Sequence, residues 1–124
     1  MSEIKSFTDL NTWKSAHKLT VDIYIETKKY PKEETYGLVS QIRRASSSIM
    51  ANIAEGFARY PYKDKTRFYY HARASLAEVQ NHLYLSQSLD YISEIQFSEL
   101  LKETGNLGQL INGLINSTKK QLSN

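Results

Sequence analysis

The chain contains no cysteine. A disulfide scaffold, a thiolate zinc site, an iron–sulfur cluster and a cysteine nucleophile are thereby excluded, and the absence fits a cytoplasmic protein. Proline occurs twice, at Pro31 and Pro61, and glycine five times. So few breakers leave room for long regular elements and speak against many short strands. No apolar run approaches the ~18 residues that a membrane-spanning helix needs. The opening Met-Ser-Glu-Ile-Lys-Ser-Phe-Thr-Asp carries acids and no apolar stretch, so a signal peptide is not expected.

What is present is a globular composition. Hydrophobic residues make up 40% of the 124 positions, enough to build one core without covalent help. A single domain over residues 1–124 is expected. The net charge is +3, a mild value, but its distribution is uneven. Between Arg59 and Arg73 stand five bases (Arg59, Lys63, Lys65, Arg67, Arg73) and one acid, Asp64. The remainder holds 11 basic and 12 acidic residues, so the positive excess sits in this one short segment.

Four segments carry a helical period, and no strand-type alternation competes with it. The first helix is expected over residues 10–29, capped by Asp9, with Leu10, Trp13, Ala16, Thr20, Ile23, Tyr24 and Thr27 on its apolar side. Tyr30-Pro31 ends it, since the residue before proline is driven out of the helical region. The second is expected over residues 33–58, with Glu33 and Glu34 suiting its positive N-terminal end and Leu38, Ile42, Ala45, Ile49, Ile53 and Gly56 as core stripe. The break at 59–62 contains Pro61. The third is expected over residues 64–89, with Phe68, Ala72, Ser75, Val79, Leu83 and Ser86 inward. Ser93 and Gln96 form a capping box for a fourth helix reaching residue 121, whose inner face carries Phe97, Leu100, Leu101, Thr104, Leu107, Ile111, Leu114, Ile115 and Thr118. Short connections make neighbouring helices antiparallel, so the expected fold is all-α, an up-down-up-down four-helix bundle.

The second helix is unusual on its far side. With Ile42 at the centre of the core face, the opposite face is Gly37, Ser40, Arg44, Ser47, Ser48, Ala51, Ala54, Glu55 and Ala58. A solvated face is ordinarily rich in Lys and Glu; this one is mostly small. Either Ser and Ala merely tolerate exposure, or another subunit covers them. The second reading predicts an oligomer interface at Gln41, Arg44, Ser48, Ala51, Asn52, Ala54 and Glu55, with Gln41, Arg44, Asn52 and Glu55 as a satisfied polar network.

The same helix carries a family resemblance. The run from Tyr36-Gly37-Leu38 through Gln41-Ile42-Arg43-Arg44-Ala45, Ser48-Ile49 and Asn52-Ile53-Ala54-Glu55-Gly56 resembles the signature of the "four helix bundle protein" or 23S rRNA intervening-sequence protein family. Phe7, Leu10, Trp13, Ala16, Ile23, Tyr24 and Thr27 extend the likeness upstream. Arg59, Phe68, Ala72, Ser75, Leu76, Glu78 and Val79 extend it downstream. The chain departs from the pattern at Ile49-Met50, where an aliphatic-Pro step is usual, and at Pro61 or Tyr62, where Ser is frequent. The resemblance implies a bacterial protein often encoded within a large-subunit ribosomal RNA gene. It implies an antiparallel bundle that closes into a homo-oligomeric ring, with five copies the expected number. It extends to the accessory protein of diversity-generating retroelements, a ring with a basic surface that binds nucleic acid and a reverse transcriptase. The family has no established enzymatic activity.

The chemistry-bearing residues point the same way. His71, Glu78 and His82 fall on one side of the third helix, but the Glu-x-x-x-His spacing is not the Glu-x-x-His of bundle metal sites, and the apolar stripes of helices one and four offer no inward carboxylate. Ser46, Ser47 and Ser48 sit mid-helix and not on a nucleophile elbow. Gly105-x-x-Gly108 lies within a helical pattern and reads as helix-packing glycines, not as a nucleotide clamp. No catalytic residue, metal or cofactor is implied. The basic segment interleaves cations with aromatics, and in this wheel Phe68 packs inward while Lys63, Arg67, Tyr69, Tyr70 and Arg73 project outward. Basic groups attract phosphates and tyrosine rings stack on bases. Arg59, Lys63, Arg67, Tyr69, Tyr70 and Arg73 are therefore the candidate nucleic-acid contacts. The expected function is a non-enzymatic ring acting as accessory to an RNA or DNA process; the alternative is a protein scaffold or adaptor with no nucleic-acid role.

Overall fold

A computed structural model describes residues 3–60 and 62–123. They form four helices, with no strand among the described residues: α1 Asn11–Thr27, α2 Leu38–Ala58, α3 Tyr62–Ser88 and α4 Glu94–Ser123. Each packs on two neighbours around a square; α1 and α3 occupy opposite corners and do not approach one another. The sequence break at Pro61 lies outside the described residues, as do Met1 and Ser2 of the opening stretch.

The core follows the period-3.6 stripes. Ala16, Leu19 and Ile23 of α1 meet Ile42, Ile49 and Ile53 of α2, Val79 and Leu83 of α3, and Leu107 and Ile111 of α4, all fully buried. Several buried threonine hydroxyls are satisfied by reaching back to a carbonyl of their own helix. Thr27 Oγ1 donates to the Ile23 carbonyl at 2.7 Å, Thr104 to Leu101 at 2.6 Å and Thr118 to Leu114 at 2.8 Å. Thr20 Oγ1 donates to the Ala16 carbonyl at 2.8 Å, with the Ser46 carbonyl of α2 at 3.1 Å.

The helix ends differ from the sequence expectation in instructive ways. Asp9 does not cap α1. It belongs to a separate 3-10 turn, Phe7–Asp9, where its carboxylate accepts from the Lys5 and Ser6 amides in a capping box with Ser6; these bonds hold its pKa below the ordinary carboxylate value. The end of α1 is closed from another helix. Arg43 donates through Nε to Thr27 Oγ1 at 2.9 Å and through its terminal nitrogen to the Tyr24 carbonyl at 3.2 Å, one of the carbonyls that a helix C-terminus leaves open. α2 begins at Leu38 and not at Glu33, since Lys32–Glu34 form a 3-10 turn after Pro31 and Gly37 leaves the helical region. Glu34 still serves this end: its carboxylate accepts from the Leu38 amide at 3.2 Å and from the Tyr91 hydroxyl at 2.9 Å. α3 closes on Asp90 with φ 60°, and the Tyr91 amide reaches back to the Ser86 carbonyl, the Schellman arrangement. Ser93 Oγ accepts from the Gln96 amide and caps α4.

Candidate nucleic-acid interface

The basic segment spans the end of α2 and the first turns of α3. Two contacts tie it to the end of α4. Arg73 donates to Asn112 Oδ1 at 3.1 Å, and Lys119 lies 5.1 Å from the centre of the Tyr70 ring. The C-terminal end of α2, the N-terminal end of α3 and the C-terminal end of α4 thus meet on one side of the bundle.

Gly56 sets the rotation of α3 here. A Cβ at this position would lie 2.5 Å from Cε1 of Tyr69. The missing side chain opens a notch in α2, and the Tyr69 ring fills it. Tyr69 is accordingly 2% exposed and part of the core, and burial pushes its phenol up to about 12. The expectation that Tyr69 projects outward is therefore incorrect. Leu76 is buried in place of Ser75 for the same reason. Phe68, expected inward, moves to the half-buried edge of the bundle.

At that edge the aromatic rings hold cations. The guanidinium carbons of Arg59 and Arg67 lie 4.5 and 4.9 Å from the Phe68 ring centre. Arg73 lies 4.8 Å from the Tyr70 ring centre, beside Lys119. Such contacts restrain the long side chains while leaving their charge toward water. Tyr70 is thus engaged by cations, and the freely exposed ring of the group is Tyr60, at 86%. Lys65 stands apart: its ammonium donates to the Gly56 carbonyl at 3.2 Å and to the Phe57 carbonyl. It closes the C-terminal end of α2, and burial lowers its pKa. Lys63 is exposed on the first turn of α3.

The residues expected at an oligomer seam divide. Arg44, Ala51 and Glu55 are exposed along the outer side of α2. Ser48 and Asn52 turn toward α3: Asn52 Nδ2 donates to the Ser48 carbonyl and hydroxyl, and the Ser48 and Ser75 hydroxyls meet at 3.0 Å. Arg44 donates to Gln41 Oε1 at 2.9 Å. These are two separate pairs, and no hydrogen bond among the described residues joins Glu55 to either. The expected single network does not form within the chain, because each i, i+4 step along α2 drifts about 40° and carries Ser48 and Asn52 toward α3. Ala54 is half-buried.

A feature absent from the sequence reading lies between α1 and α4. Asp22, Glu26, Glu99 and Glu103 line a cleft of about 260 Å³ with Lys18 and Lys29. Lys18 bridges Asp22 at 2.8 Å and Glu103 at 3.3 Å. Glu26 is buried, contrary to the expectation that helices one and four carry no inward carboxylate, and its partner is Lys29. Burial first, and then the neighbouring Asp22, raise the Glu103 carboxyl. The i, i+4 spacing of Asp22 with Glu26 and of Glu99 with Glu103 was the available signal. Among the described residues no three His, Asp or Glu side chains converge to hold a metal ion. His71 lies beside the Phe68 ring and His82 lies 3.4 Å from Glu78. Of the two glycines read as packing positions, Gly108 packs on Leu76 while Gly105 faces open space.

An antiparallel all-α bundle with a cation-rich aromatic edge defines the class of protein. The profile of the 23S rRNA-intervening sequence protein family matches residues 8–113, and the chain belongs to that family. A crystal structure of a protein with unknown function from the S23 ribosomal protein family of Bacteroides thetaiotaomicron superposes with a TM-score of 0.77 at 20% identity, covering 85% of this chain and 95% of that one. The likeness is one of fold. Comparison with curated proteins returns no match. No helix among the described residues is long and apolar enough to cross a membrane.

Proposed function

We propose that the chain is a non-enzymatic, self-associating accessory factor of the cytoplasm that binds nucleic acid through the edge formed by α2, α3 and α4. The observation that carries this reading is the pinning of Arg59, Arg67 and Arg73 on the Phe68 and Tyr70 rings. Guanidiniums restrained in advance lose less freedom on meeting phosphates. Arg59, Lys63, Arg67 and Arg73 supply phosphate contacts, and Tyr60 replaces Tyr69 as the ring able to stack on an unpaired base. Recognition is by charge, since nothing at this edge reads base edges. The small-residue outer side of α2 supports self-association, and the family resemblance gives five copies as the expected ring; each added copy repeats the basic edge, so weak contacts combine.

The test is fluorescence anisotropy of labelled RNA and duplex DNA at low salt. Wild type binds both; the variant carrying Arg59→Gln, Lys63→Gln, Arg67→Gln and Arg73→Gln loses most of that affinity while keeping its helical circular dichroism. Absence of binding by wild type, or full binding by the fourfold variant, favours the scaffold reading, which the exposed Tyr84, Leu85, Leu89 and Ile95 side chains support.

A further inference from the structure

A pocket of about 410 Å³ opens where the end of α2, the first turns of α3 and the last turns of α4 meet. Pockets for small ligands commonly measure about 300–1,000 Å³ and combine apolar walls with a few polar groups. Here Ile4, Leu10, Phe57 and Leu114 supply apolar walls, and Lys65 and Tyr69 bring an ammonium and a phenol into the same lining. The two polar residues stand at i, i+4 on α3 and so share one face of it. Arg59, Arg67 and Arg73 do not line the pocket, which sets it apart from the basic edge.

Both polar groups lack a partner. Tyr69 is 2% exposed, and its hydroxyl makes no hydrogen bond among the described residues. Buried phenols ordinarily find one. The Tyr30 hydroxyl is also without a partner, but it is sealed in the interior; that of Tyr69 is not sealed. The ring cannot turn to seek a partner elsewhere, because the notch at Gly56 holds it. Lys65 carries three donors, and the Gly56 and Phe57 carbonyls take two of them. The Phe57 and Tyr62 rings flank the ammonium at 5.4 and 5.6 Å. Lys18 and Lys29 are paired with carboxylates; among the described residues no acid pairs with Lys65. Burial alone therefore shifts its pKa, and no acid opposes that shift. A half-buried cation held only by neutral groups gains from an anion brought to it.

We infer that this pocket binds a monocarboxylate with an apolar body, of the medium-chain fatty-acid type. The carboxylate accepts from the third Lys65 donor and from the Tyr69 hydroxyl, while the chain lies against Ile4, Leu10, Phe57 and Leu114. One ammonium and one hydroxyl match the two oxygens and single charge of a carboxylate. A phosphate dianion calls for more donors and more positive charge than the pocket supplies. The apolar walls give the chain its share of the binding, which a free inorganic anion forgoes.

The probes are octanoate and octanol, its neutral counterpart, titrated into the full chain by isothermal titration calorimetry. Octanoate is expected to bind, with octanol weaker by about tenfold. Lys65→Met removes that preference. Tyr69→Phe deletes only a hydroxyl without a partner, so the fold is kept; it weakens octanoate by about fivefold and leaves octanol unchanged. Circular dichroism checks both chains, and Tyr69→Phe alone decides the matter where Lys65→Met does not fold. The fourfold Gln variant at Arg59, Lys63, Arg67 and Arg73 binds octanoate as wild type does. Absence of octanoate binding at millimolar concentration, equal binding of octanol, or an unchanged preference in Tyr69→Phe overturns the inference. Loss of octanoate binding in the fourfold variant also overturns it, since the anion then rests on the basic edge. Nucleic-acid binding is read separately by anisotropy, and none of these outcomes decides it.

Discussion

Tyr69 and Gly56 form one packing unit, and the rest of the basic edge is arranged around it. Gly56→Ala drives a methyl into the Tyr69 ring, an overpacking that costs about 1–3 kcal/mol; the midpoint of urea unfolding falls accordingly. Gly105→Ala is the control, because nothing lies within 4 Å of its Cβ; an exposed helix interior gains about 1 kcal/mol from that exchange. Equal effects of the two substitutions contradict the packing described. The Tyr69 phenol adds a pH dependence. In the folded chain burial pushes its pKa up to about 12, against 10.0 for the free side chain. Between those values the unfolded chain holds fewer protons, so stability is complete below pH 10 and falls as pH rises through the window, by on the order of 2 kcal/mol. Thermal melts stepped into alkali show this decline in wild type and a shallower one in Tyr69→Phe, the residue of the effect belonging to Tyr30, which burial also raises. An unchanged alkaline slope in Tyr69→Phe refutes it.

At the scale of the element, Lys65 shows why counting charge along a helix is not the same as counting phosphate contacts. Lys65→Met removes the donors that close α2 and is expected to lower the melting temperature while leaving nucleic-acid affinity nearly unchanged; Arg67→Gln is expected to do the reverse. If Lys65→Met weakens binding as much as Arg67→Gln, the assignment of Lys65 to the helix end is incorrect. The four helices and their inner stripes were legible, since Ile42, Ile49 and Ile53 or Leu107, Ile111 and Ile115 repeat at helical spacing. The family run in α2 added the fold independently. What was not legible came from neighbouring helices. Phe68 and Tyr69 are both aromatic, and only the notch at Gly56 on α2 decides which one turns inward. Arg43 reads as a surface charge until Thr27 and Tyr24 are seen beneath it, and the acidic cleft exists only once α1 and α4 lie side by side. The basic edge was legible as a charged segment, while its partition into ring-bound and helix-closing groups required the packing.

The whole molecule is electrically lopsided. Cations gather where α2 ends and α3 begins, and acids gather from Glu78 onward to Glu103. The proposed assembly would present several basic edges to one polyanion, so its affinity is expected to exceed that of a single edge. The small-residue side of α2 gives the assembly its own test. Ala51→Glu introduces an unpaired carboxylate at the proposed seam and is expected to lower the mass measured by light scattering without loss of helicity; retention of the wild-type mass moves the proposed seam away from α2. The most direct test of the central claim, that the edge binds nucleic acid by charge, is the salt dependence of the association constant on duplex DNA. Each phosphate contact contributes a log–log slope of about −0.9. Wild type is expected to show a steep negative slope, and the fourfold variant at Arg59, Lys63, Arg67 and Arg73 a markedly flatter one with the oligomer intact. A slope near zero for wild type, or an identical slope in the variant, contradicts it.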